Sequence, residues 1–546
     1  MSFVCHIVGD ILGTKVVRTW EFNSTFPLRS IIPIYLTTGL PLLILKAVSS
    51  TSGYVISWYS LTVAVRLTIT LLSLITDFTT MQLARWQDKV SAAVVMATSY
   101  ISLVYYTRTF SNTLESFLFS ALICVVAHRS QKEKSDIHYA FIISMLIVTG
   151  VFNRPTFVVY AMVPYLWWLF SDGVNRVIIK AINSVLIAIP LSIVLIICDS
   201  IYFSRLDINN LNSADLSDIL SLVVNNLTVT PLNFVLYNTQ FGNLAEHGIH
   251  PRFTHAVVNI PLLFSVLSVC FFYDVFRWCT MTVILRSWKL VLMHRRDVML
   301  LACCLVPVIL LSLFPHQEPR FLIPLLPVFA AMYARQITSR WSAALCWIVA
   351  NVFGCLFYGC LHQAGVVPCL GHLQETQSTG VERHVTFWHT YTAPQHLLLQ
   401  QLSSLTQDST NTGTTVITSL EGNSVGDLIH HLRQINSSLS SQNREKLEVL
   451  VAATSSEHQY LVCMAAEAGI RLDLNRSFWP HLSTEHLPRM NDILCRIPRT
   501  NCHNITADDD SADFDNDDDD DDLCDKTIIE RIHFLTSLNL YRVIFV

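Results

Sequence analysis

An all-α, polytopic membrane bundle is the fold this sequence predicts, and three observations carry that reading. Hydrophobic residues make up 52% of the chain and charged residues 14%, with a mean hydropathy of +0.44. That balance excludes an ordinary soluble protein of this length. Apolar runs of roughly spanning length recur near 30–46, 54–75, 90–106, 114–127, 139–151, 156–170, 177–198, 256–274, 298–314, 321–335 and 341–360. From about residue 375 the chain turns polar, with short apolar strips among Ser, Thr and Gln. The runs predict a bundle of about 8–11 helices, and the polar stretch predicts a small C-terminal tail domain of α/β type. Several runs are shorter than the ~20 residues a perpendicular helix needs, so broken or re-entrant helices are expected.

The elements then fall in order. Residues 1–29 lie outside the bilayer, because the opening apolar residues are interrupted by His6, Asp10, Lys15, Arg18 and Glu21 and form neither a signal peptide nor a span. Residues 30–370 form the multi-pass domain, with a long loop at 199–255, and residues 371–500 form the tail domain. Residues 501–546 read as an acidic, disordered end. Asp508–Asp522 holds eleven aspartates, a self-repelling tract with almost no apolar content that alone makes the net charge of −5 negative. The fifteen cysteines form no framework: most sit in apolar runs as small hydrophobes, while Cys463, Cys495, Cys502 and Cys524 lie in the tail and can pair in an oxidising compartment. No CxxC or Cys/His spacing points to a metal, so neither metal nor cofactor is expected.

Basic clusters at 128–134, 176–180, 286–296 and 335–340 belong on the cytoplasmic side. Counting helices from them places Phe152–Pro155, the loop 199–255, the turn near 316 and the C-terminal tail together on the opposite side. Sequons at Asn226, Asn436, Asn475 and Asn504 fall on that side, as glycosylation requires. Upstream of residue 114 the count fails. It puts residues 1–28 on the cytoplasmic side against the sequon at Asn23, so one of the first four runs is a hairpin or does not cross.

The candidate chemistry gathers at polar breaks between apolar runs. His316-Gln-Glu-Pro-Arg-Phe321 sits between LVPVILLSLF and FLIPLLPVFA. Ionisable side chains at a membrane boundary are costly unless they meet one another or a polar cavity. Arg108 and Glu115 flank a similar break at 107–115, and Arg154 sits in Asn153-Arg-Pro155, where Pro155 ends or kinks a helix. His247, His250, Arg252 and His255 cluster in the long loop. Arginine suits phosphate through its planar fork, and histidine beside it suits phosphate or sugar hydroxyls. We therefore expect Arg108, Arg154, His247, His250, Arg252, His316 and Arg320 to contact a phosphate or glycan. Glu115 and Glu318 either orient these cations or bind sugar hydroxyls, and Glu318 with Arg320 can equally be a structural pair. Asp77, Asp199 and Asp274 read as boundary residues. A secondary transporter would also show broken helices and intramembrane charges, but no internal duplication relates the two halves.

Several of these motifs resemble those of the dolichyl-phosphate-mannose-dependent mannosyltransferases, glycosyltransferase family 22. HQEPRFLIPLLP at 316–327 is similar to their signature, and YYTRTFSNTLES (105–116) and FNRPTF (152–157) agree with it. TPLNFVLYN (230–238), NLAEHGIHPRFTH (243–255), CLHQAGVVP (360–368) and FWHTYTAPQHLL (387–398) resemble the branch that adds the fourth mannose to the glycosylphosphatidylinositol (GPI) precursor; the third-mannose branch is the alternative. The resemblance runs from about Gly9 to Ser483. It implies a membrane GT-C bundle in the endoplasmic reticulum, a lumen-facing site, dolichyl phosphate mannose as donor and a GPI glycolipid as acceptor. The family attributes its base to an acid in a His-Pro-Asp-Glu-x-x-Gln segment of the first luminal loop. Here MSFVCHIV stands in that place, and His6 and Asp10 do not match. The catalytic acid is therefore unassigned, and the expected explanation is an incomplete or alternatively started product of an enzyme gene, with a pseudoenzyme as the alternative.

Overall fold

The computed structural model describes the chain except residues 1, 15, 17–18, 130–135, 204–225, 241, 243–247, 281–294, 378–380, 401–413, 438–446, 485, 489–526 and 546. His247, Asn504 and the Asp508–Asp522 tract lie outside the described residues. Two compact units emerge, one comprising mainly Arg18–Cys355 and the other mainly Leu356–Val546.

The first unit is helical. A short helix, α1 (Ser2–Leu12), precedes α2 (Ile32–Ser52) and α3 (Trp58–Leu83). Gly53 closes α2 in the left-handed conformation at φ 69°, and a reciprocal Ser57–Ser60 capping box starts α3. Next come α4 (Lys89–Thr98), α5 (Ser111–Ala127), α6 (Asp136–Asn153), α7 (Phe157–Leu169) and α8 (Val174–Tyr202). Beyond them lie α9 (Thr230–Thr239), α10 (His255–Phe264), α11 (Val266–Cys279), α12 (Arg295–Ser312), α13 (Pro319–Thr338) and α14 (Trp341–Leu361). Six of these (α2, α3, α6, α8, α13 and α14) are long and apolar enough to cross a membrane, and α5, α7 and α10 are shorter apolar helices. The breaks have local causes. Pro155 stops α6, and Ser265 at φ 47° splits the run 256–274 into α10 and α11.

Helix α8 has a mean hydropathy of 2.6 over its most apolar window, of which only 11% is buried within the protein. So much uncovered apolar surface requires lipid around it. By contrast, 72% of the corresponding window of α13 is buried, against α3, α4 and α11. The segment that carries the HQEPR motif thus enters the centre of the bundle.

The second unit joins α15 (Val366–Glu375), α16 (Val425–Ser437), α17 (His458–Glu467) and α18 (Ile528–Leu535) to a five-stranded sheet. Its strands are β1 (Glu382–Trp388), β2 (Thr415–Glu421), β3 (Leu447–Thr454), β4 (Ile470–Phe478) and β5 (Leu538–Phe545), in the order β2-β1-β3-β5-β4. The first three are parallel, and β5 is antiparallel to both its neighbours. Trp388, Leu428, Leu432, Val449, Val451 and Tyr541 form its core. This corrects the reading of 501–546 as wholly disordered: residues 527–545 fold, and β5 fills the slot between β3 and β4. The Thr527–Glu530 capping box starts α18, and the apolar LNLYRVIF run supplies the strand. The neighbouring aspartates had masked both signals in the composition. Cys463 on α17 is disulfide-bonded. Of the sequon asparagines, Asn226 and Asn436 are half-buried, while Asn475 is exposed on edge strand β4.

Candidate functional site

The site begins at the turn between α6 and α7. Gly150 lies so close to the Phe157 ring that a Cβ there would stand 2.1 Å from it, so only glycine lets the chain fold back this tightly. The Arg154 and Phe157 amides donate to the Gly150 and Arg154 carbonyls, and Asn153 Nδ2 donates to the Ser111 carbonyl at 3.1 Å. Arg154 is consequently buried in a fixed direction. Its Nη1 donates to Asn112 Oδ1 at 2.9 Å, its Nε stands 4.0 Å from Glu115 Oε2, and its guanidinium lies 4.5 Å over the Phe321 ring. Glu115 is 1% exposed. One of its oxygens accepts from Thr156 Oγ1 and the other from Asn112 Nδ2, both at 2.9 Å. Arg154, Asn112, Glu115 and Thr156 thus form one buried network.

The HQEPR turn supplies the second wall. Glu318 Oε1 is 2.8 Å from His316 Nε2 and accepts from Arg320 Nη2 at 2.8 Å, while Arg320 Nε pairs with Glu318 Oε2. Burial alone would raise the Glu318 carboxyl, but the His316 hydrogen bond and the Arg320 charge outweigh it and lower it to about 2. Gln317 is the mortar. Buried, it donates from its side chain to the carbonyls of Ser312, Phe314 and Arg252 and accepts from the His255 amide. The long loop docks on the same turn: the His250 amide donates to the Pro315 carbonyl at 2.8 Å, the Gln317 amide to His250 Nδ1 at 3.4 Å, and Arg252 to the Leu313 carbonyl.

Two members of this cluster were not foreseen. Glu21 accepts from Arg29 Nε at 3.2 Å and Nη2 at 2.9 Å, and buried Arg29 Nη1 reaches the Asn153 carbonyl at 3.5 Å. Burial opposes the charge on Glu21. The Arg29 pair outweighs it, with weaker help from Arg154 and Arg320, and holds the carboxyl below the usual range. The one available signal was the pair of opposite charges at 21 and 29 just ahead of the first apolar run. Asp199 keeps its structural role: its carboxylate accepts from Ser30 Oγ, the Ile31 amide and Thr230 Oγ1, tying three segments together.

The structure therefore brings Glu115, Arg154, His316, Glu318 and Arg320 together with Glu21 and Arg29, and places His250 and Arg252 in an adjoining layer. Arg108 sits half-buried in the turn ahead of α5. An apolar cleft of about 600 Å³ opens between α11 and α12, lined by Phe271, Phe272, Leu305, Val308 and Ile309, with Arg252 on its wall. Arginines beside an apolar groove can hold a phosphate whose carrier is a hydrocarbon.

Residues 4–400 match the model of the Alg9-like mannosyltransferase family. The chain is 32% identical to the GPI alpha-1,2-mannosyltransferase 4 of Homo sapiens over 71% of its own length and 69% of that protein. It is 27% identical to the GPI mannosyltransferase 4 of Drosophila melanogaster, over 89% and 82% of the two chains. With the corresponding protein of Candida albicans the identity is 30%, over 72% and 73%. The matched span contains every residue of the cluster just described, and the chain belongs to the Alg9-like mannosyltransferase family.

Proposed function

We propose that this chain transfers a mannose from dolichyl phosphate mannose to the third mannose of the GPI precursor, at the luminal face of the endoplasmic reticulum membrane. The single observation that carries the mechanism is the arginine cluster at the ends of α5, α6 and α13, continued by Arg252 into an apolar cleft. In this reading the cleft takes the polyprenyl chain of the donor. Arg252, Arg320 and Arg154 stabilise the charge that develops on the phosphate as the acceptor hydroxyl attacks the anomeric carbon with inversion. Glu115 aims Arg154 and Glu318 aims Arg320, Glu21 holds Arg29 behind them, and no residue is assigned here as the base. The relatives' names supply the acceptor class. The disulfide at Cys463 and the exposed sequon at Asn475 support a luminal tail.

Complementation tests the assignment. Cells lacking the fourth-mannose enzyme should accumulate the tetramannosyl precursor again when this chain is expressed. Rescue confined to cells blocked at the third mannose would overturn it in favour of the third-mannose activity.

A further inference from the structure

The sheet unit carries an apolar surface that has no part in the transfer site. Helix α18 exposes Ile528, Ile529 and Ile532 at 55%, 80% and 43%, and the Trp479 side chain is 56% exposed. Ile529, Ile532, His533 and Thr536 follow one another at i, i+3, i+4 and i+7 and so share one face, while Ile528 stands one turn before Ile532. Trp479 is bound to that face. Its indole stacks on the His533 ring with centroids 5.1 Å apart, and its Nε1 donates to Thr536 Oγ1 at 3.1 Å. The acid of the helix, Glu530, is turned back onto the Thr527 amide and hydroxyl, both at 2.9 Å. Exposed apolar residues scattered singly are ordinary, but three isoleucines and a tryptophan gathered in one patch are not.

The place of the patch in the chain says what covers it. The end of α14, from Leu356 onward, belongs to this same unit. Only 17% of the apolar window of α14 is buried, and Phe353 and Leu356 are 66% and 55% exposed, so lipid surrounds this helix close to its end. The carbonyl of Leu361, its last residue, accepts from the Leu482 amide at 2.9 Å, and the Gln363 amide donates to the Leu482 carbonyl at 2.9 Å. Leu482 lies three residues beyond Trp479, at most about 11 Å of backbone away. The His481 amide donates to the Thr536 carbonyl at 2.7 Å, which ties the end of α18 to the same strip. Gly365 allows the closure, since a Cβ there would meet Leu538 Cβ at 2.8 Å and the Phe478 carbonyl at 3.0 Å. Tyr391, 52% exposed, sets its ring edge-on to His362, directly after the span.

We propose that α18 and Trp479 seat in the headgroup boundary of the bilayer, an interfacial anchor that holds the sheet unit against the membrane α14 crosses. The isoleucines reach the acyl chains, while Trp479 and Tyr391 each combine an apolar ring with a polar atom, the chemistry that suits a membrane boundary. Buried Leu535 fastens α18 to its own unit, which leaves the isoleucine face for lipid.

The test uses the full-length chain in nanodiscs of phosphatidylcholine that carries an alkyne on one acyl chain. The photoreactive p-benzoylphenylalanine is placed by amber suppression at Ile529, at Leu186 on α8 as a lipid-facing reference, or at Gln434 on α16 as a polar one. All three side chains are exposed, so each replacement leaves the packing intact. After irradiation the chain should carry lipid label from Ile529 at least about tenfold above that from Gln434, and close to that from Leu186. The double variant Ile528→Asp, Ile532→Asp should bring the Ile529 signal down to the Gln434 level, since charge is costly among acyl chains. Label at Ile529 no higher than at Gln434 overturns the proposal, and so does crosslinking to a second copy of the chain in place of lipid. Label that survives the double variant overturns it too, because it shows nearness to the membrane without an anchor.

Discussion

Helices α5 and α6 carry charge at both ends, and the two ends are built differently. At the end of α5 that leads into α6, Arg129 stands 2.7 Å from Asp136 and 2.6 Å from Asp172. Lys180 there is fully buried, 2.5 Å from Asp172 and donating to the Trp168 carbonyl and Ser171 Oγ. Every one of these cations meets a carboxylate at hydrogen-bonding distance. At the other end, Arg154 approaches Glu115 only to 4.0 Å, and the Arg320 side chain keeps 45% of its surface exposed. Closed pairs of the first kind hold helices. Arg320, which stays exposed beside its pair, and Arg252, on the wall of an apolar cleft, keep donors in reserve for a ligand. Ion pairs alone therefore do not mark a site, and a cation's remaining exposure beside the cluster does.

Replacing the two buried cations sharpens this contrast most. Arg154→Ala should lower stability by about 3–5 kcal/mol, since it strands buried Glu115, and Lys180→Met by less, since Asp172 keeps Arg129 at 2.6 Å. Only Arg154→Ala should also reduce transfer per folded molecule, by about 10²–10³-fold for a lost donor to a developing charge. A Lys180→Met protein equally depleted in specific activity would break the division into scaffold and site. Thermal unfolding in detergent alongside a transfer assay reads both.

Glu21→Gln has a smaller expected effect. It weakens the hold on Arg29 and so on the Asn153 carbonyl, and kcat/KM should fall about tenfold, as for a group that positions another. A normal kcat/KM would place Glu21 with the scaffold. Smallest is the response to acid. Glu21 and Glu318 are both lowered in the folded state, Glu318 to about 2. Their contribution is present in full above the ordinary carboxylate range and is lost as the pH falls from about 4.5 towards 2. The melting temperature should be flat near neutrality and drop below that range, less steeply in Glu318→Gln.

Much of this was legible before any coordinates. Composition and run lengths gave the bundle, and the cost of charge at a membrane boundary singled out Glu115, Arg154, His316, Glu318 and Arg320, which share one cluster. Glu21 and Arg29 escaped because their meaning is a contact across 124 residues, from Arg29 to the Asn153 carbonyl, and no local pattern encodes it. Strand β5 escaped because the aspartates beside it dominate the composition, although its own residues are strand formers.

The most direct measurement of the central claim is transfer of mannose from dolichyl phosphate mannose by purified Arg320→Ala protein. Arg320 keeps nearly half of its side chain exposed and its pair with Glu318 adds under about 1 kcal/mol to stability, so folding should be unchanged. The account predicts wild-type melting with transfer lowered at least about a hundredfold. Wild-type transfer by a normally folded Arg320→Ala chain would contradict it.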